Sequence, residues 1–207
     1  MIDLRARQRF ARFVTDVVVR QPALWRVFRR SFASMFDSLA PEWDATRISP
    51  EHMTALEAAL ERLEKTPARI LDVGTGTGAA ARSLARRWPL AEVVGVDLSP
   101  GMIAEARARA GSARERYELA DASALPFGDE EFDLVTLLNM IPFFDELARV
   151  TAHGGSVVVA SSRGASTPIF VPLETVRVEL GRRGFTRFAE VAGGPGVSLL
   201  AVKGALS

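Results

Sequence analysis

Three aspartates in the middle of the chain stand where side chains could bind one polar ligand. Asp72, Asp97 and Asp121 each lie at the predicted carboxyl end of a run rich in apolar and β-branched residues. Ligands of open α/β sheets bind beyond the carboxyl ends of the strands, so the three carboxylates are predicted to share a site. A carboxylate accepts hydrogen bonds from amines and hydroxyls but repels a bare pyrophosphate. The three acids therefore favour a ligand that carries amines and hydroxyls rather than phosphates.

A glycine-rich turn follows the first of these acids. Gly74, Gly76 and Gly78 alternate with two threonines, and an alanine-rich helical pattern begins directly afterwards. Glycine reaches positive φ at little cost and has no side chain to hold a ligand away. A strand, a tight turn and a helix N-terminus in this order typically bring backbone amides against a ligand. The turn is therefore predicted to hold the ligand against the backbone through its amides.

The spacing of the other two acids indicates which parts of the ligand they bind. Asp97 follows Gly78 at close to the roughly 20-residue offset expected for an acid that holds a ribose diol. The carboxylate of Asp121 could accept a hydrogen bond from an exocyclic amine, while the amide of Ala122 donates to the neighbouring ring nitrogen. A ligand that satisfies all three acids carries an amine, a ribose and an amino-purine.

Alternating strand and helix patterns position these residues. From Arg69 onward the alternation argues for a parallel sheet covered by helices on both faces. Five strands are predicted at residues 69–74, 92–97, 115–120, 132–138 and 154–161, with helices near 77–88, 99–111, 143–152 and 172–183. Two further strands, at 185–191 and 197–202, flank a glycine-rich turn and form a hairpin, so one of the final strands runs antiparallel.

The first 66 residues have helical patterns and no strand patterns. An aromatic stripe at helical spacing is predicted to pack on the core, with a pocket wall as the alternative, and comprises Trp25, Phe28, Phe32 and Phe36. A further helix is predicted to begin at Ser49 and Pro50. His52 falls on the exposed side of that helix and is interpreted as a surface residue.

Composition limits the classes of function. The 207 residues favour one domain with a small appendage, and the net charge of +1 gives no indication of a nucleic-acid partner. The absence of cysteine excludes disulfides, thiolate metal sites and a cysteine nucleophile, and no metal site is expected. No apolar run approaches the length of a membrane span and the start does not resemble a secretion signal, so a soluble, cytoplasmic protein without stable membrane insertion is expected. Residues 1–40 carry eight arginines against three acids, which is interpreted as a solvated helix face, with peripheral contact to a phospholipid surface as the alternative.

Several motifs together resemble those of the class I S-adenosylmethionine-dependent methyltransferases, most strongly over residues 36–161. They are the glycine motif LDVGTGTG at 71–78, the acidic motif VGVDLSPGM at 94–102, the motif DASALPF at 121–127 and the helix-to-strand turn at 146–155. Residues 36–44, with the sequence FDSLAPEWD, look like the aromatic–Asp segment of the ubiquinone and menaquinone biosynthesis type. Together these motifs are far more specific than any one of them alone.

The resemblance implies S-adenosylmethionine as the cofactor and assigns residues to its parts. The first aspartate and the glycine turn would hold the methionine amine and carboxylate, and the second aspartate would bind the ribose hydroxyls. Two apolar side chains would pack on the adenine, the third aspartate and the amide after it would bind the adenine edge, and an asparagine would face the sulfonium. In chain order these residues are Asp72, Gly74, Thr75, Gly76, Gly78, Asp97, Leu98, Met102, Asp121, Ala122 and Asn139. Arg47 either pairs with the methionine carboxylate or forms a surface salt bridge.

The resemblance also implies an α/β fold with a Rossmann-like, mostly parallel sheet of seven strands. The implied strand order is 3-2-1-4-5-7-6 with a C-terminal antiparallel hairpin. Residues 1–66 would form an N-terminal helical cover and residues 67–207 the S-adenosylmethionine-binding domain. The connections after the fourth and fifth strands are shorter than is usual in the family. Either the pocket is open, which suits a large substrate, or the N-terminal helices close it.

The implied function is methyl transfer by in-line displacement to a small or medium-sized organic acceptor, such as a quinone precursor or a natural product. The sequence offers no convincing general base, because His153 is interpreted as a residue of a surface turn. Two alternatives stand beside this function. An NAD(P)-dependent oxidoreductase would also satisfy the loose pattern of Gly74, Gly76 and Ala79. A non-catalytic S-adenosylmethionine-binding protein would explain the short connections and the lack of a base.

Overall fold

A seven-stranded mixed sheet forms the centre of the computed structural model, which describes residues 4–205. Its strands are β1 (Arg69–Val73), β2 (Glu92–Asp97), β3 (Glu115–Leu119), β4 (Phe132–Leu138), β5 (Thr151–Ser161), β6 (Phe185–Gly193) and β7 (Gly196–Lys203). The order across the sheet is β3-β2-β1-β4-β5-β7-β6. Strands β1 to β5 are parallel, and β7 runs antiparallel to both β5 and β6. The predicted α/β fold, strand order and closing hairpin are confirmed.

The central strands are apolar on both faces because helices cover both sides of the sheet. Neighbouring residues of β1 point to opposite sides, so that Ile70 packs in one core and Leu71 in the other. The register pairs Asp72 of β1 with Gly95 of β2 and Thr136 of β4. The buried centre of the sheet therefore brings the carboxyl ends of β1, β2 and β4 to one edge.

Eight α-helices surround the sheet in the part of the chain from residue 4 to residue 205. They are α1 (Leu4–Arg20), α2 (Trp25–Asp37), α3 (Trp43–Arg47), α4 (Thr54–Leu60), α5 (Ala79–Arg87), α6 (Pro100–Ala108), α7 (Phe144–Val150) and α8 (Leu173–Gly181). Buried side chains of α1, α2, α7 and α8 belong to one core, and those of α4, α5 and α6 belong to the other. None of the helices in residues 4–205 is both long and apolar enough to cross a membrane.

The helix predicted to begin at Ser49 and Pro50 begins there as a 3-10 turn, Pro50–Met53, which continues into α4. Helix α4 packs on β5, β6 and β7, and Thr54 Oγ1 donates a hydrogen bond of 2.8 Å to the carbonyl oxygen of Gly193. The division of the chain into a cover at 1–66 and a domain at 67–207 stays a prediction. The outermost parts of both predicted segments, residues 1–3 and 206–207, lie outside the described residues.

Candidate functional site

A cavity of about 810 Å³ lies at the carboxyl ends of β1, β2, β4 and β5. Residues of α1 and α2 close it from above, among them Arg7, Ala11, Trp25, Phe32 and Phe36. Arg12 of α1 donates hydrogen bonds to the carbonyl oxygens of Ala165 and Thr167, after β5, and Trp25 packs on Phe143, after β4. The N-terminal helices therefore contact both of the short connections. The aromatic stripe serves both of its predicted roles, because Trp25 and Phe32 are buried in the core and also line the cavity.

Most of the predicted cofactor residues meet in this cavity. Those that line it are Asp72, Gly74, Thr75, Gly76, Asp97, Leu98, Ala122 and Asn139. Gly78, Met102 and Asp121 do not line it. Met102 is fully buried beneath the glycine turn, with its sulfur 4.0 Å from the position that a Cβ on Gly76 would take.

Asp72 is a buried carboxyl group whose ionised form is less favoured than that of an exposed aspartate. Its side chain accepts hydrogen bonds from Thr75 Oγ1 at 2.6 Å and from Thr136 Oγ1 at 2.9 Å. Burial raises the pKa of Asp72 to about 6, although these two hydrogen bonds oppose the shift. A carboxylate has about four acceptor positions, so Asp72 can still accept from a cationic ligand group.

Asp97 fixes the glycine turn in place. One carboxylate oxygen accepts the N–H of Gly76 at 2.9 Å, and the other accepts the N–H of Ser99 at 2.9 Å. Loss of solvent raises the pKa of Asp97, against the effect of these hydrogen bonds. The carboxylate faces the cavity with acceptor positions left over, as a partner of two ribose hydroxyls requires.

The prediction that the turn presents its amides to the ligand is wrong for four of its residues. The N–H groups of Gly74 and Thr75 both donate to the carbonyl oxygen of Val96. The N–H of Gly76 donates to Asp97, and that of Gly78 donates to the carbonyl oxygen of Thr75. The turn closes against the end of β2 and uses these donors itself. Its contribution to a ligand is therefore close approach rather than hydrogen-bond donation.

Asp121 is engaged by the helical cover. Its Oδ1 accepts the indole N–H of Trp25 at 2.8 Å as well as the N–H and the hydroxyl of Ser123. Its Oδ2 pairs with Arg29 at 3.2 Å. Although burial opposes the change, the Ser123, Trp25 and Arg29 hydrogen bonds lower the pKa of Asp121. Asp121 is therefore bound within the protein and does not line the cavity, which differs from its predicted role as the adenine partner.

Asn139 and Met140 occupy the end of β4. Asn139 has a φ of 56° and joins β4 to the residue after β5, because its side-chain amide exchanges two hydrogen bonds of 2.9 Å with the N–H and hydroxyl of Ser162. Met140 covers the first glycine, since a Cβ on Gly74 would lie 2.6 Å from the Met140 sulfur. The sequence motifs did not identify Met140, because its contact with Gly74 joins two separate strand ends.

Gly78 is required by packing rather than by the ligand. Its φ is 83°, and a Cβ there would lie 2.9 Å from the ring of Tyr117. Gly184 provides a matched comparison, because its φ is 89° and nothing lies within 4 Å of the corresponding Cβ position. The two glycines therefore share a left-handed backbone and differ in their neighbours.

We expect Gly78→Ala to lower the free energy of unfolding by roughly 2–5 kcal/mol, because left-handed backbone strain and overpacking against the tyrosine add. Gly184→Ala should lower the free energy of unfolding by only about 1–2 kcal/mol, the contribution of backbone strain alone. Urea unfolding of both variants, followed by circular dichroism, measures the difference. Equal losses in the two variants would show that contact with Tyr117 is unimportant.

The 36–44 segment attaches the cover to two helix N-termini. Asp37 accepts hydrogen bonds from the N–H of Gly101 at 2.9 Å and from the hydroxyl of Ser99, at the start of α6. Asp44 accepts a hydrogen bond from the hydroxyl of Thr77, just before α5, and lies 3.7 Å from Arg82. The sequence signal for both aspartates was their spacing in the motif, which did not reveal their partners.

His52 corrects an interpretation made from the sequence. The residue is half-buried and lines the cavity. Burial, followed by the charge of Arg163, lowers the pKa of His52. The helical pattern placed it on the surface because Ser162 and Arg163, which line the same cavity, are distant in sequence.

Comparisons with known proteins agree with this geometry. Residues 70–155 match a family described as a methyltransferase domain. The chain is 43% identical over 138 residues to the demethylmenaquinone methyltransferase of Thermus thermophilus, an alignment that covers 60% of this chain and 63% of the relative. It is 33% identical over 180 residues to the demethylmenaquinone methyltransferase of Corynebacterium urealyticum, which covers 78% of this chain and 71% of the relative.

The fold is also that of solved methyltransferase structures. A SAM-dependent methyltransferase from Aquifex aeolicus superposes with a TM-score of 0.63 at 18% identity, covering 83% of this chain and 98% of the other. The chain spans less than two thirds of the length of the Thermus thermophilus relative, at 63%. The sheet order, the carboxylates at the ends of β1 and β2, and these similarities lead to one conclusion: the chain belongs to the class I S-adenosylmethionine-dependent methyltransferase family.

Proposed function

We propose that this protein transfers a methyl group from S-adenosylmethionine to a small or medium-sized organic acceptor. The observation that carries the proposal is the juxtaposition of Asp72 and Asp97 around the glycine turn in one covered cavity. Its volume of about 810 Å³ lies in the upper part of the roughly 300–1,000 Å³ range of ligand sites, which suits a cofactor together with an acceptor. A sulfonium methyl is already electrophilic, so the protein has to align the nucleophile and exclude water.

We propose the following arrangement of the cofactor. Asp72 binds the methionine ammonium, and Asp97 binds the ribose hydroxyls. The adenine lies near Leu98 and Ala122, which line the cavity. Because the turn amides are used within the protein, the methionine carboxylate needs another partner. Arg47 lines the cavity above the Trp43 ring, with its guanidinium carbon 5.7 Å from the ring centroid, and supplies that charge.

We propose a naphthoquinol as the acceptor. The two relatives compared above are named demethylmenaquinone methyltransferases, and aromatic and apolar side chains line much of the cavity, including Trp25, Phe32, Phe36 and Ile169. A quinone ring is poor in electrons, whereas its reduced form has hydroxyls that donate electron density to the ring carbons. The reduced form is therefore the nucleophile that a sulfonium methyl requires.

Methyl transfer is tested with the purified protein, S-adenosylmethionine and 2-prenyl-1,4-naphthohydroquinone kept reduced under anaerobic conditions. We expect S-adenosylhomocysteine and a singly methylated quinol, both detected by mass spectrometry, and less of both products from Asp97→Ala at a cofactor concentration that does not saturate the variant. Binding of S-adenosylhomocysteine without methyl transfer to this quinol or to a panel of phenols would favour the non-catalytic alternative. Tight binding of NAD with no binding of S-adenosylhomocysteine would favour the oxidoreductase.

We further propose that the outer face of α1 and α2 contacts anionic lipid. Phe13 and Val27 are 55% and 63% exposed, and the Phe13 ring packs edge-on against Phe28 of α2, with ring centroids 5.9 Å apart. Arg9 lies one turn before Phe13 on α1, and Arg30 lies one turn after Val27 on α2, and both arginines are exposed. Apolar side chains among arginines suit the boundary between head groups and acyl chains. A prenylated acceptor would be drawn from the same surface.

Lipid contact is tested by sedimentation with vesicles of phosphatidylcholine alone or with phosphatidylglycerol added. We expect binding that needs the anionic lipid and is lost in the double variant Arg9→Glu/Arg30→Glu. The variant Arg86→Glu/Arg114→Glu has the same net charge with both changes elsewhere on the surface, and it should still bind. Equal binding of the two variants would contradict the proposed surface. A cytoplasmic location stays a prediction.

A further inference from the structure

The acceptor end of the cavity follows from the order of the strands. Asp97 ends β2, whereas Asn139 follows β4 and Arg163 follows β5. Strand β5 lies three positions from β2 in the sheet, which is roughly 14 Å at about 4.8 Å per strand. On the proposed function, the ribose lies over β2 and the methionine over β1, so the acceptor lies over β4 and β5.

His52 and Arg163 line the cavity from two different elements, and the charge of Arg163 acts on the imidazole. His52 belongs to the 3-10 turn Pro50–Met53, and Arg163 follows β5; both line the cavity. The residues after this turn hold it in place. Thr54 Oγ1 donates a hydrogen bond of 2.8 Å to the carbonyl oxygen of Gly193, and the Ser198 hydroxyl donates one of 2.9 Å to the carbonyl oxygen of Ala55. The position of the imidazole is therefore set by the β6–β7 hairpin.

The imidazole of His52 is available to a ligand. Among the residues that the structure describes, no protein group forms a hydrogen bond with the His52 ring, and no buried side-chain nitrogen or oxygen lacks a partner. Its ring nitrogens are therefore accessible. Burial and the charge of Arg163 lower its pKa, so the ring is neutral near pH 7 and can accept a proton.

Charged groups around the cavity favour an anion at this end. The charged residues that line it are Arg7, Glu42, Arg47, Glu51, Asp72, Asp97 and Arg163. The two aspartates lie on β1 and β2, at the cofactor end, and Arg47 lies over Trp43. Glu51 is the acid nearest to His52 in the sequence, is exposed, and accepts a hydrogen bond from Ser49 at 3.4 Å. Arg163 forms no ion pair within residues 4–205, so its charge is available to a ligand.

We propose that His52 accepts the proton of an acidic hydroxyl on the acceptor and that Arg163 binds the oxygen anion that forms. The inference rests on the proposed methyl transfer and adds the two residues that handle the proton and the charge of an acceptor hydroxyl that ionises at this end of the cavity. A neutral histidine suits this task because its unprotonated ring nitrogen can accept a proton.

The proposed step balances in atoms and charge. The hydroxyl proton moves to a His52 ring nitrogen, and the electron pair of the O–H bond stays on the acceptor. The acceptor oxygen, or the ring carbon conjugated with it, forms a bond to the methyl carbon while the methyl–sulfur bond breaks. That electron pair goes to sulfur, so the sulfonium becomes the neutral sulfide of S-adenosylhomocysteine. If carbon is methylated, its proton leaves last and restores the aromatic ring, and one proton in total is released to solvent.

The kinetic test compares His52→Gln with His153→Gln, the change at the other histidine of the chain. His153 is exposed, and its Nδ1 forms a hydrogen bond of 2.8 Å with the carbonyl oxygen of Gly204. With the reduced naphthoquinol we expect kcat of His52→Gln to fall by about 100-fold or more and the acidic limb of its pH profile to disappear, while binding of S-adenosylhomocysteine changes less than about twofold. His153→Gln should behave as the parent does. Full kcat with an unchanged acidic limb in His52→Gln would overturn the proposal.

A second measurement does not depend on turnover. The chromogenic phenol 4-nitro-1-naphthol is titrated in the presence of the protein and S-adenosylhomocysteine, and its absorption reports its ionisation. We expect the bound naphthol to ionise at lower pH than the free one, with the shift lost in Arg163→Gln and restored in part in Arg163→Lys. If the parent shows this shift but does not methylate the quinol, the proposed function fails and the inference stands. Binding of S-adenosylhomocysteine without any shift of the naphthol would overturn the inference.

Discussion

Asp97→Ala is expected to weaken the binding of S-adenosylhomocysteine by roughly 1–3 kcal/mol, or about 5- to 150-fold. The carboxylate stands at the end of β2, faces the cavity and is proposed to accept both ribose hydroxyls. Alanine removes these charged hydrogen bonds. It also frees the N–H groups of Gly76 and Ser99, which the carboxylate holds at 2.9 Å, so the glycine turn loosens as well. Isothermal titration calorimetry near neutral pH measures the change.

Asp145→Ala is the matched control for this variant. Its carboxylate is 86% exposed and pairs with Arg183 on the surface, so its loss should leave the affinity within error. Circular dichroism and thermal unfolding establish that both variants are folded. A folded Asp97→Ala protein with the affinity of the parent would contradict the ribose assignment.

The affinity for S-adenosylhomocysteine is expected to fall roughly tenfold between about pH 7.5 and about pH 5. Burial raises the pKa of Asp72 to about 6, so this carboxyl is ionised at the higher pH and mostly protonated at the lower one. The ligand ammonium stays charged over this range and is attracted to the ionised form alone. Binding therefore has to remove a proton from Asp72 at low pH, and the affinity decreases as the pH falls through 6.

The variant Asp72→Asn separates this effect from other titrations. It should bind more weakly than the parent near pH 7.5 and show little further loss towards pH 5, because the titrating group is gone. Calorimetry in two buffers of different ionisation enthalpy also counts the protons released on binding. A parent affinity that is constant from pH 7.5 to pH 5 would contradict contact between Asp72 and the ammonium.

The sequence predicted the sheet well because local residue patterns mark where most of its strands begin and end. The predicted strands at 92–97 and 132–138 coincide with β2 and β4, since each is an apolar run that ends at a polar residue or a turn. Strand β5 begins three residues earlier than the predicted start at 154, where a register shift opposite Phe132 and Leu134 lengthens the pairing. That irregularity depends on the partner strand and has no local pattern.

The part of the site that depends on contacts between distant residues could not be predicted from the sequence. The spacing of Asp121 suggested an open adenine partner, yet Trp25 of α2, ninety-six positions away, donates to it. His52 was placed on the surface because a helical pattern describes only one segment. It does not show the distant residues, such as Arg163, that line the same cavity. Likewise, the glycines indicated that a ligand approaches the backbone closely. They did not show that the N–H groups of Gly74 and Thr75 donate to the carbonyl oxygen of Val96 on β2.

The attachment of the cover has a thermodynamic consequence. Asp37 and Asp44 hold the cover on the N-termini of α6 and α5, and these helices begin directly after the β2 end and the glycine turn. The docking of the cover and the occupancy of the cofactor site are therefore linked equilibria. By reciprocity, the factor by which a docked cover tightens cofactor binding is the factor by which bound cofactor strengthens docking.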